Sequence, residues 1–378
     1  MKAALSLRDL GVTRARTQIL SGITLDINAG ELIVIMGASG AGKSTLLRAI
    51  CGLQRSQTGT IHIDGEEVTS APPHRRSTAL MMDEDALFPH MSVAENVSFA
   101  VNTELRDTDP TEQVDVALTS LGIAHLATRY PGQLSLGQRQ IVSLARVLVR
   151  RPRILLVDEP LAHVDTVARE HLKAELVRVH KRMNCATVYV THDVNEALSI
   201  ADRIIYLSNG RIVQDDYPEE VYESPATLPI ARHFGATTFL MTTAHTYTSP
   251  FGERRARTHV LGQSLDVAAS ALLPSSGTCD IVLVGHPASV SMKAVHSARK
   301  PRVTDHYGQV TEVTFMGEYY RVIIESERGA LTVRTPTDAP PTTSGDSVEI
   351  SLDPSKLWAL PATATNSTDT RASAQKVV

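Results

Sequence analysis

The stretch Gly37-Ala38-Ser39-Gly40-Ala41-Gly42-Lys43-Ser44-Thr45 decides the fold predicted for this chain of 378 residues. It follows the largely apolar run Glu31 to Met36, which has the length of a strand, and precedes a helix-forming run that ends at Gly52. A glycine, four residues and then Gly-Lys-Ser, between a strand and a helix, form the pattern of a phosphate-binding loop. Glycines let backbone N–H groups turn towards phosphate oxygens, and the helix N-terminus adds partial positive charge. The sequence therefore predicts that residues 37–45 bind the phosphates of a nucleotide.

Two side chains of this loop carry specific predicted roles. Lys43 is expected to reach the β- and γ-phosphates, and the hydroxyl of Ser44 is expected to ligate Mg²⁺. The alternative interpretation is a glycine-rich turn with a chance lysine. The strand before the loop and the helix after it favour the phosphate site, because that site needs both.

Composition narrows the class of protein. Hydrophobic residues make up 42% of the chain, an ordinary value for a globular protein, and the length allows two cores. The formal net charge of −4 argues against a protein that holds nucleic acid by bulk electrostatics. The three cysteines are far apart and match no metal-binding spacing, so thiols in a reducing compartment are expected.

Two further runs of strand type end in polar residues. Ile154-Leu155-Leu156-Val157 is continuously apolar, as is typical of a buried parallel strand, and it ends in Asp158-Glu159. The run Thr187-Val188-Tyr189-Val190 ends in Thr191-His192-Asp193. A carboxylate at the position of Asp158, beside the phosphate loop, is suited to hold Mg²⁺ directly or through water. For His192 alone, the alternative is a strand-end histidine that is bonded to backbone.

Helix starts are predicted from the spacing of capping residues. Three such pairs occur, at Ser92 with Glu95, Ser135 with Gln138, and Asp193 with Glu196. The second of these helices should run to about Val149. Between residues 234 and 244 the composition shifts to Thr, Ala and Gly, and beyond it only short strand patterns occur, which predicts a small β-barrel domain.

The order of the motifs resembles one family. The phosphate loop is followed by Leu87-Phe88-Pro89-His90, then by Leu134-Ser135-Leu136-Gly137-Gln138, then by the strand ending in Asp158-Glu159-Pro160, and then by His192. This order resembles the ATP-binding subunit of an ABC importer. The resemblance extends to residues 215–235, which are similar to those of the importers of polyamines, ferric iron, phosphonates and sugars. Those subunits carry a C-terminal oligosaccharide-binding-type (OB, TOBE-like) regulatory domain.

The resemblance implies an α/β fold, in which a P-loop NTPase cassette is followed by a small all-β, OB-like barrel domain. The ATP-binding domain is expected over residues 1–238, with a helical subdomain at about 83–150. The barrel domain is expected over residues 239–360. Residues 361–378, rich in Ala, Thr and Ser, are expected to form a disordered tail.

The resemblance also implies roles for residues outside the loop. Glu159 is expected to polarise the attacking water, and His192 to contact the γ-phosphate and hold that water. Ser135, Gly137 and Gln138 begin a helix that is expected to face the ATP of a second copy of the subunit. Asp165 is expected to couple the two sites. For Ser135 ordinary helix capping is the alternative, and both interpretations are compatible.

By the same resemblance the protein is an ATPase that energises a membrane importer of a small solute, an inorganic ion, a polyamine, a phosphonate or a sugar. ATP-driven closure of a homodimer does the work, with ATP and Mg²⁺ as cofactors. Two integral membrane permease subunits are the expected partners, an external solute-binding protein acts indirectly, and no nucleic acid is involved. The expected location is peripheral, on the cytoplasmic face of the cell (inner) membrane.

Three positions depart from the family pattern. Asp83 stands where a glutamine is usual; it is a candidate Mg²⁺ ligand, and repulsion between it, Asp158 and Glu159 is expected to raise a carboxyl pKa. Leu136 replaces a glycine in the signature. Arg14 occupies the position of the aromatic residue that stacks on adenine, and no Phe, Trp or Tyr precedes Phe88.

Three alternatives stay open at this point. One is a soluble ABC-type ATPase that is not linked to transport, although the long coiled coil or second cassette common in such proteins is not found. Another is a degenerate, weakly active cassette, given the altered positions. The third is another phosphate-loop enzyme, such as a small-molecule kinase or a GTPase; the signature and His192 argue against it.

Overall fold

The computed structural model describes residues 3–82, 87–101, 109–162, 164, 166–295, 306–339 and 342–362. Its contacts divide the chain into two compact units, Met1–Pro218 and Glu219–Val378. None of the helices in the described ranges is both long and apolar enough to cross a membrane.

The helices of the described ranges are α1 (Lys43–Ile50), α2 (Val93–Ser98), α3 (Pro110–Ser120), α4 (Leu136–Arg150), α5 (Thr166–Met183), α6 (Val194–Ile200), α7 (Pro218–Glu223) and α8 (Leu228–His233). The strands of the first unit are β1 (Leu5–Arg14), β2 (Thr17–Ile27), β3 (Leu32–Met36), β4 (Thr58–Ile63), β5 (Glu66–Glu67), β6 (Thr78–Met81), β7 (Ile154–Asp158), β8 (Ala186–Val190), β9 (Arg203–Ser208) and β10 (Arg211–Asp216).

The strands of the second unit are β11 (Thr238–Thr248), β12 (Arg254–Val260), β13 (Gln263–Ala269), β14 (Gly277–Gly285), β15 (Val290–Ala294), β16 (Tyr307–Phe315), β17 (Tyr319–Ser326), β18 (Gly329–Pro336), β19 (Ser347–Leu352) and β20 (Leu357–Pro361).

A six-stranded sheet in the order β10-β9-β3-β8-β7-β6 organises the first unit. All pairings in it are parallel except that of β10 with β9. Its central strands β3 and β8 are buried at every residue, which explains their unbroken apolar sequences. The carboxyl ends of β3, β7 and β8 meet at one edge, where the ligands of open parallel sheets bind.

An antiparallel sheet, in the order β2-β1-β4-β5, covers one side of this unit. Its inward side chains, among them Leu7, Leu20 and Ile61, share one core with α1 and the six-stranded sheet. The second half of β2 alternates buried and exposed residues, as expected for a sheet with one solvated face. Helix α1, which begins in the phosphate loop, is therefore held between two sheets.

The helical segment of the first unit confirms two predicted caps. The side chain of Ser92 accepts a hydrogen bond from the Glu95 N–H at the start of α2, and the Glu95 carboxylate accepts one from the Ser92 N–H. Ser135 and Gln138 make the same pair at the start of α4, which ends at Arg150, close to the predicted end. Such reciprocal bonds satisfy N–H groups that have no partner within the helix.

Within its described residues, the second unit is all-β apart from α7, α8 and single 3-10 turns, in agreement with the predicted fold class. Strands β11, β12, β13, β20 and β14 close into a barrel. A second, five-stranded sheet in the order β15-β19-β16-β17-β18 was not foreseen from the sequence. Barrel and sheet share one core, in which Leu265 and Leu283 of the barrel join Val322 and Ile350 of the sheet.

Helices α7 and α8 belong to the second unit. The imidazole of His286 stacks on the ring of Tyr222, with centroids 3.6 Å apart, and its Nε2 lies 3.0 Å from the Tyr222 carbonyl oxygen. The indole N–H of Trp358 donates to the carbonyl of Pro225 at 3.2 Å. Packing thus divides the chain at 218, twenty residues before the domain boundary expected from the sequence, which stays a prediction.

A buried arginine fixes the end of α1. Arg76 is 5% exposed, and its guanidinium donates to the carbonyl oxygens of Ala49, Ile50, Ala71 and Thr69. The first two of these carbonyls lie in the last turn of α1, where the regular hydrogen bonds of the helix end; that of Ala49 also accepts from the N–H of Gly52 at 3.2 Å. Arg76 therefore anchors the far end of the helix whose first residue is Lys43.

We predict that Arg76→Met destabilises the first unit by about 2–4 kcal/mol, because it leaves four carbonyl groups without their charged donor. The neighbouring Arg75 is exposed, so Arg75→Met is the matched control, with an expected change within about 0.5 kcal/mol. Denaturant unfolding of the full chain measures both. Equal unfolding midpoints for the two variants would contradict the role of Arg76.

Candidate functional site

The phosphate loop lies between β3 and α1, as the sequence predicts, and its glycines have different reasons to be there. Gly37, Gly40 and Gly42 have φ values of 146°, 79° and 106°, a region that favours glycine. A Cβ on Gly37 would lie 2.1 Å from the backbone oxygen of Leu207, whereas a Cβ on Gly40 would meet nothing within 4 Å. Gly37 is thus required by close packing, and Gly40 by backbone conformation alone.

Lys43 points back into the loop. Its side-chain nitrogen donates to the carbonyl oxygens of Gly37, at 2.8 Å, and Ala38, at 3.1 Å. The residue is 8% exposed. Burial lowers the pKa of this ammonium group, and the nearby carboxylates of Glu159 and Asp158 oppose that shift. A buried cation that bonds two neutral carbonyls would gain from an anion in the loop.

Ser44 and Asp158 come together at the end of the loop. The Ser44 hydroxyl donates to Oδ1 of Asp158 at 3.1 Å, across 114 positions of sequence. Burial raises the pKa of the Asp158 carboxyl, the Ser44 hydrogen bond lowers it in part, and the charge of Glu159 adds to the rise. The rise in this pKa matches the expectation from the sequence, but its leading cause is burial of the carboxyl and not repulsion from the neighbouring carboxylates.

Glu159 stands next to Asp158 in a strained backbone conformation, with φ at 46°. Its N–H donates to the carbonyl of Val190 at 3.0 Å, which continues the β7–β8 pairing one residue past the strand. A non-glycine residue in this region costs of the order of 1–3 kcal/mol, and such strain clusters at functional sites. The turn directs the carboxylate towards His192, whose Nδ1 lies 3.2 Å from Glu159 Oε2.

The donor set fits a nucleotide with a divalent cation. A hydroxyl and a carboxylate, from Ser44 and Asp158, already lie within hydrogen-bond distance, and oxygen donors of this kind suit Mg²⁺. The buried ammonium of Lys43 and the loop N–H groups suit phosphate. Four of the residues singled out in the sequence, Lys43, Ser44, Asp158 and Glu159, are therefore neighbours.

The signature residues at the start of α4 bond among themselves. Ser135 and Gln138 bond to each other, and Ser135 is exposed at the start of α4. In the ranges that the structure describes, no hydrogen bond or ion pair joins the signature to the phosphate loop. Gly137 faces α5, where an added Cβ would lie 3.5 Å from that of Ala168, so a small residue suits this position.

Two predicted residues, Asp83 and Asp165, lie outside the described residues. Arg14 is described: it ends β1, is exposed and pairs with Thr17 across the β1–β2 turn. The β1–β2 hairpin reaches the loop, because a Cβ on Gly42 would lie 2.7 Å from Leu20 Cδ2. Arg14 is thus on the hairpin that packs against the phosphate loop.

The predicted cap of α6 by Asp193 is confirmed, but the part predicted for Glu196 is wrong. Glu196 was expected to complete a capping box with Asp193, yet the Asp193 carboxylate alone caps α6, accepting from the N–H groups of Asn195 and Glu196. The Glu196 carboxylate turns instead to the hydroxyls of Thr191 and Tyr189. Spacing alone does not separate these two arrangements, because both keep the Asp-x-x-Glu pattern.

Comparison with protein-family models gives two matches. The model described as "ABC transporter" matches residues 20–162, which contain the phosphate loop, the signature and Asp158-Glu159. The model described as "TOBE domain" matches residues 287–360, in the second unit.

Similar proteins include the sulfoquinovosyl glycerol transport ATP-binding protein SmoE of Agrobacterium fabrum, 36% identical over 363 residues, which are 96% of this chain and 98% of that protein. The spermidine/putrescine import ATP-binding protein PotA of Vibrio cholerae is 33% identical over 82% of this chain and 81% of its own length. The sn-glycerol-3-phosphate import ATP-binding protein UgpC 1 of Rhizobium johnstonii is 39% identical over 62% of this chain and 63% of its own. Among solved structures, CbiO1 of Clostridium perfringens, described as part of the ABC transporter complex CbiONQ, matches with 28% identity and a TM-score of 0.54 over 61% of this chain and 94% of that one.

Proposed function

The chain belongs to the family of ABC-transporter ATP-binding proteins, and from this membership we propose that it drives import of a small polar solute of the sugar, glycerol phosphate or polyamine type. It is an ATPase that energises an importer and acts as a peripheral subunit of a membrane complex. The solute class follows the names of the relatives. The relative named for a sulfoquinovosyl glycerol system covers both units of this chain.

Binding of the nucleotide is assigned to residues 37–45. The loop N–H groups and Lys43 hold the phosphates, and Ser44 and Asp158 hold Mg²⁺, with Asp83 as a third candidate ligand. When bound, the cation neutralises charge on the β- and γ-phosphates. Support comes from the 3.1 Å contact of Ser44 with Asp158 and from the buried ammonium of Lys43.

Hydrolysis is assigned to Glu159 and His192. In-line attack on the γ-phosphate needs a base on the side away from the leaving group, and Glu159 takes the proton of the attacking water there. His192 contacts the γ-phosphate and keeps that water in line. The observation that carries this assignment is the Glu159 carboxylate, held by a strained backbone beside Asp158 and 3.2 Å from the His192 imidazole.

A homodimer completes the site in this proposal. The exposed N-terminus of α4, with Ser135, Gly137 and Gln138, faces the phosphates bound by the second copy, and Asp165 couples the two sites. The full complex then holds two such chains on the cytoplasmic face of the cell membrane, with two integral permease subunits. An external solute-binding protein delivers the solute, and the C-terminal unit is regulatory or stabilises the dimer.

We predict that affinity purification of the full chain from detergent-solubilised membranes of its own source co-purifies integral membrane proteins, since its relatives are ATP-binding proteins of transport and import systems. The Lys43→Ala variant, which lacks the ammonium group assigned to the phosphates, is the control. It should co-purify the same membrane proteins, because docking to a permease does not require nucleotide binding. Recovery of ribosomes or DNA in place of membrane proteins would instead support a soluble ABC ATPase.

We predict that Glu159→Gln keeps ATP binding but lowers the turnover number at least about 100-fold, because it removes the base without removing a phosphate or Mg²⁺ contact. With hydrolysis blocked, an ATP-bound dimer should accumulate and elute earlier in gel filtration. A turnover near that of the parent would show that Glu159 is not the base.

No Phe, Trp or Tyr precedes Phe88, so the N-terminal position that would stack on adenine carries no aromatic ring. In this proposal the planar guanidinium of Arg14 stacks on the adenine ring, since arginine side chains stack on bases. Stacking on an aromatic ring is worth about 1–3 kcal/mol per base in nucleic-acid complexes. Exposed arginine should contribute less because it stays hydrated, so most affinity comes from the phosphates, which every nucleoside triphosphate shares.

We predict that GTP binds and is hydrolysed within about tenfold of ATP, a difference of roughly 1.4 kcal/mol, and that Arg14→Tyr tightens ATP binding. Competition of ATP and GTP for the purified protein measures the first effect. Arg16 is the other candidate guanidinium in this turn, so Arg16→Tyr, measured in the same way, shows which of the two arginines lies against the base. A strong preference for ATP without tightening in Arg14→Tyr would place the stacking group elsewhere.

A further inference from the structure

A buried hydrogen-bond network lies directly beneath the turn that carries His192. Glu196 is 5% exposed, and its Oε2 accepts from the Thr191 hydroxyl at 2.7 Å and from the Tyr189 hydroxyl at 3.2 Å. The Thr191 oxygen in turn accepts from the N–H of Asp193 at 3.0 Å. Since Thr191 and Asp193 are the two chain neighbours of His192, the backbone on both sides of the histidine is held.

Helix capping does not explain the carboxylate of Glu196. Asp193 alone satisfies the first N–H groups of α6, and the Asp193 N–H bonds to Thr191 and not to Glu196. Burying a carboxylate costs free energy unless its hydrogen bonds compensate for lost water. Here the compensating hydrogen bond comes from the Thr191 hydroxyl, whose oxygen also accepts from the Asp193 N–H. Together these bonds favour one conformation of the turn 191–193.

The same turn is tied to a second segment by an arginine of α5. Arg169 donates to the carbonyl of Val164 at 3.2 Å, and its Nη1 lies 3.6 Å from Asp193 Oδ2. Arg169, Asp193 and Glu159 line a cavity of about 30 Å³, which is large enough for one water molecule. The turn 191–193 is therefore held to β8 through Glu196 and to residue 164 through Arg169.

We propose that Thr191 and Glu196 form a clamp, a positioning pair that fixes His192 against Glu159 and on which hydrolysis depends while nucleotide binding does not. This inference rests on the proposed catalytic roles of Glu159 and His192. The His192 side chain is 65% exposed, so its own packing restrains it little, and its place is set by the backbone to which it is attached. A displacement of about 1 Å at a reacting group can cost up to about 100-fold in rate.

The test compares steady-state ATPase kinetics and ATP affinity of the full-length protein and its variants. Thr191→Val keeps the side-chain shape but loses the hydroxyl, and it should lower kcat about tenfold or more while the Kd for ATP stays within about twofold. Thr191→Ser keeps the hydroxyl and should stay near the parent. Glu196→Ala should resemble Thr191→Val.

Two further variants separate the clamp from general loss of structure. Glu196→Gln keeps an acceptor for Thr191 and should restore kcat to within about threefold of the parent, because the clamp needs the acceptor and not the charge. Tyr189→Phe removes the other bond to the same oxygen but does not touch the turn, so it should leave kcat within about twofold. A fall of kcat in Tyr189→Phe equal to that in Thr191→Val would overturn the clamp.

His192→Ala separates failure of this inference from failure of the proposed function. If His192→Ala hydrolyses ATP like the parent, the proposed role of His192 is wrong. If His192→Ala is impaired while Thr191→Val and Glu196→Ala are not, the clamp is wrong and the proposed function stands. Should Thr191→Val fail to fold, Glu196→Ala against Glu196→Gln decides: equal impairment of the two overturns the clamp.

Discussion

The parallel pairing of β3, β8 and β7 is the constraint on which the rest of the first unit depends. Asp158 pairs with Val190, and Val190 pairs with Ile35, so the strands β7, β8 and β3 end side by side at the same edge of the sheet. The phosphate loop, the turn before His192 and the Asp158-Glu159 pair must therefore emerge side by side. A shift of one residue in this register would turn each side chain to the opposite face of its strand and disperse the site.

Burial at this edge acts on both signs of charge. It lowers the pKa of Lys43 and raises that of Asp158, so each ion is less favourable there than in water. Their mutual attraction and the contact of Asp158 with Ser44 offset part of the cost. The part of the desolvation cost that these contacts do not offset explains why the site suits a ligand that brings both an anion and a cation, as a nucleotide with Mg²⁺ does. The strained backbone of Glu159 adds to the free energy stored at this edge.

The second unit has its own core and its own reasons to fold. The barrel and the five-stranded sheet bury one set of apolar side chains between them, and this set includes none from the six-stranded sheet. Packing assigns α7 and α8 to the second unit through Tyr222, Pro225 and the α8 residue Leu228. The TOBE match over residues 287–360 covers β15 to β20, and the strands β11–β14 complete the barrel ahead of it. The second unit therefore folds around its own core, and the nucleotide motifs precede it in the sequence.

The sequence by itself determined the phosphate loop, the buried strands β7 and β8, the caps of α2 and α4, and the all-β character of the second unit. Each of these is a local pattern, in which glycine conformation, apolar periodicity or a reciprocal cap depends on residues close together in the chain. The motif order also indicated the family. Tertiary structure decided what joins residues far apart: the contact of Ser44 with Asp158, the four carbonyls held by Arg76, and the second sheet of the C-terminal unit. It also decided the direction of Glu196, because the free energy of a buried carboxylate depends on which hydroxyls the fold brings to it, and no spacing in the chain records that.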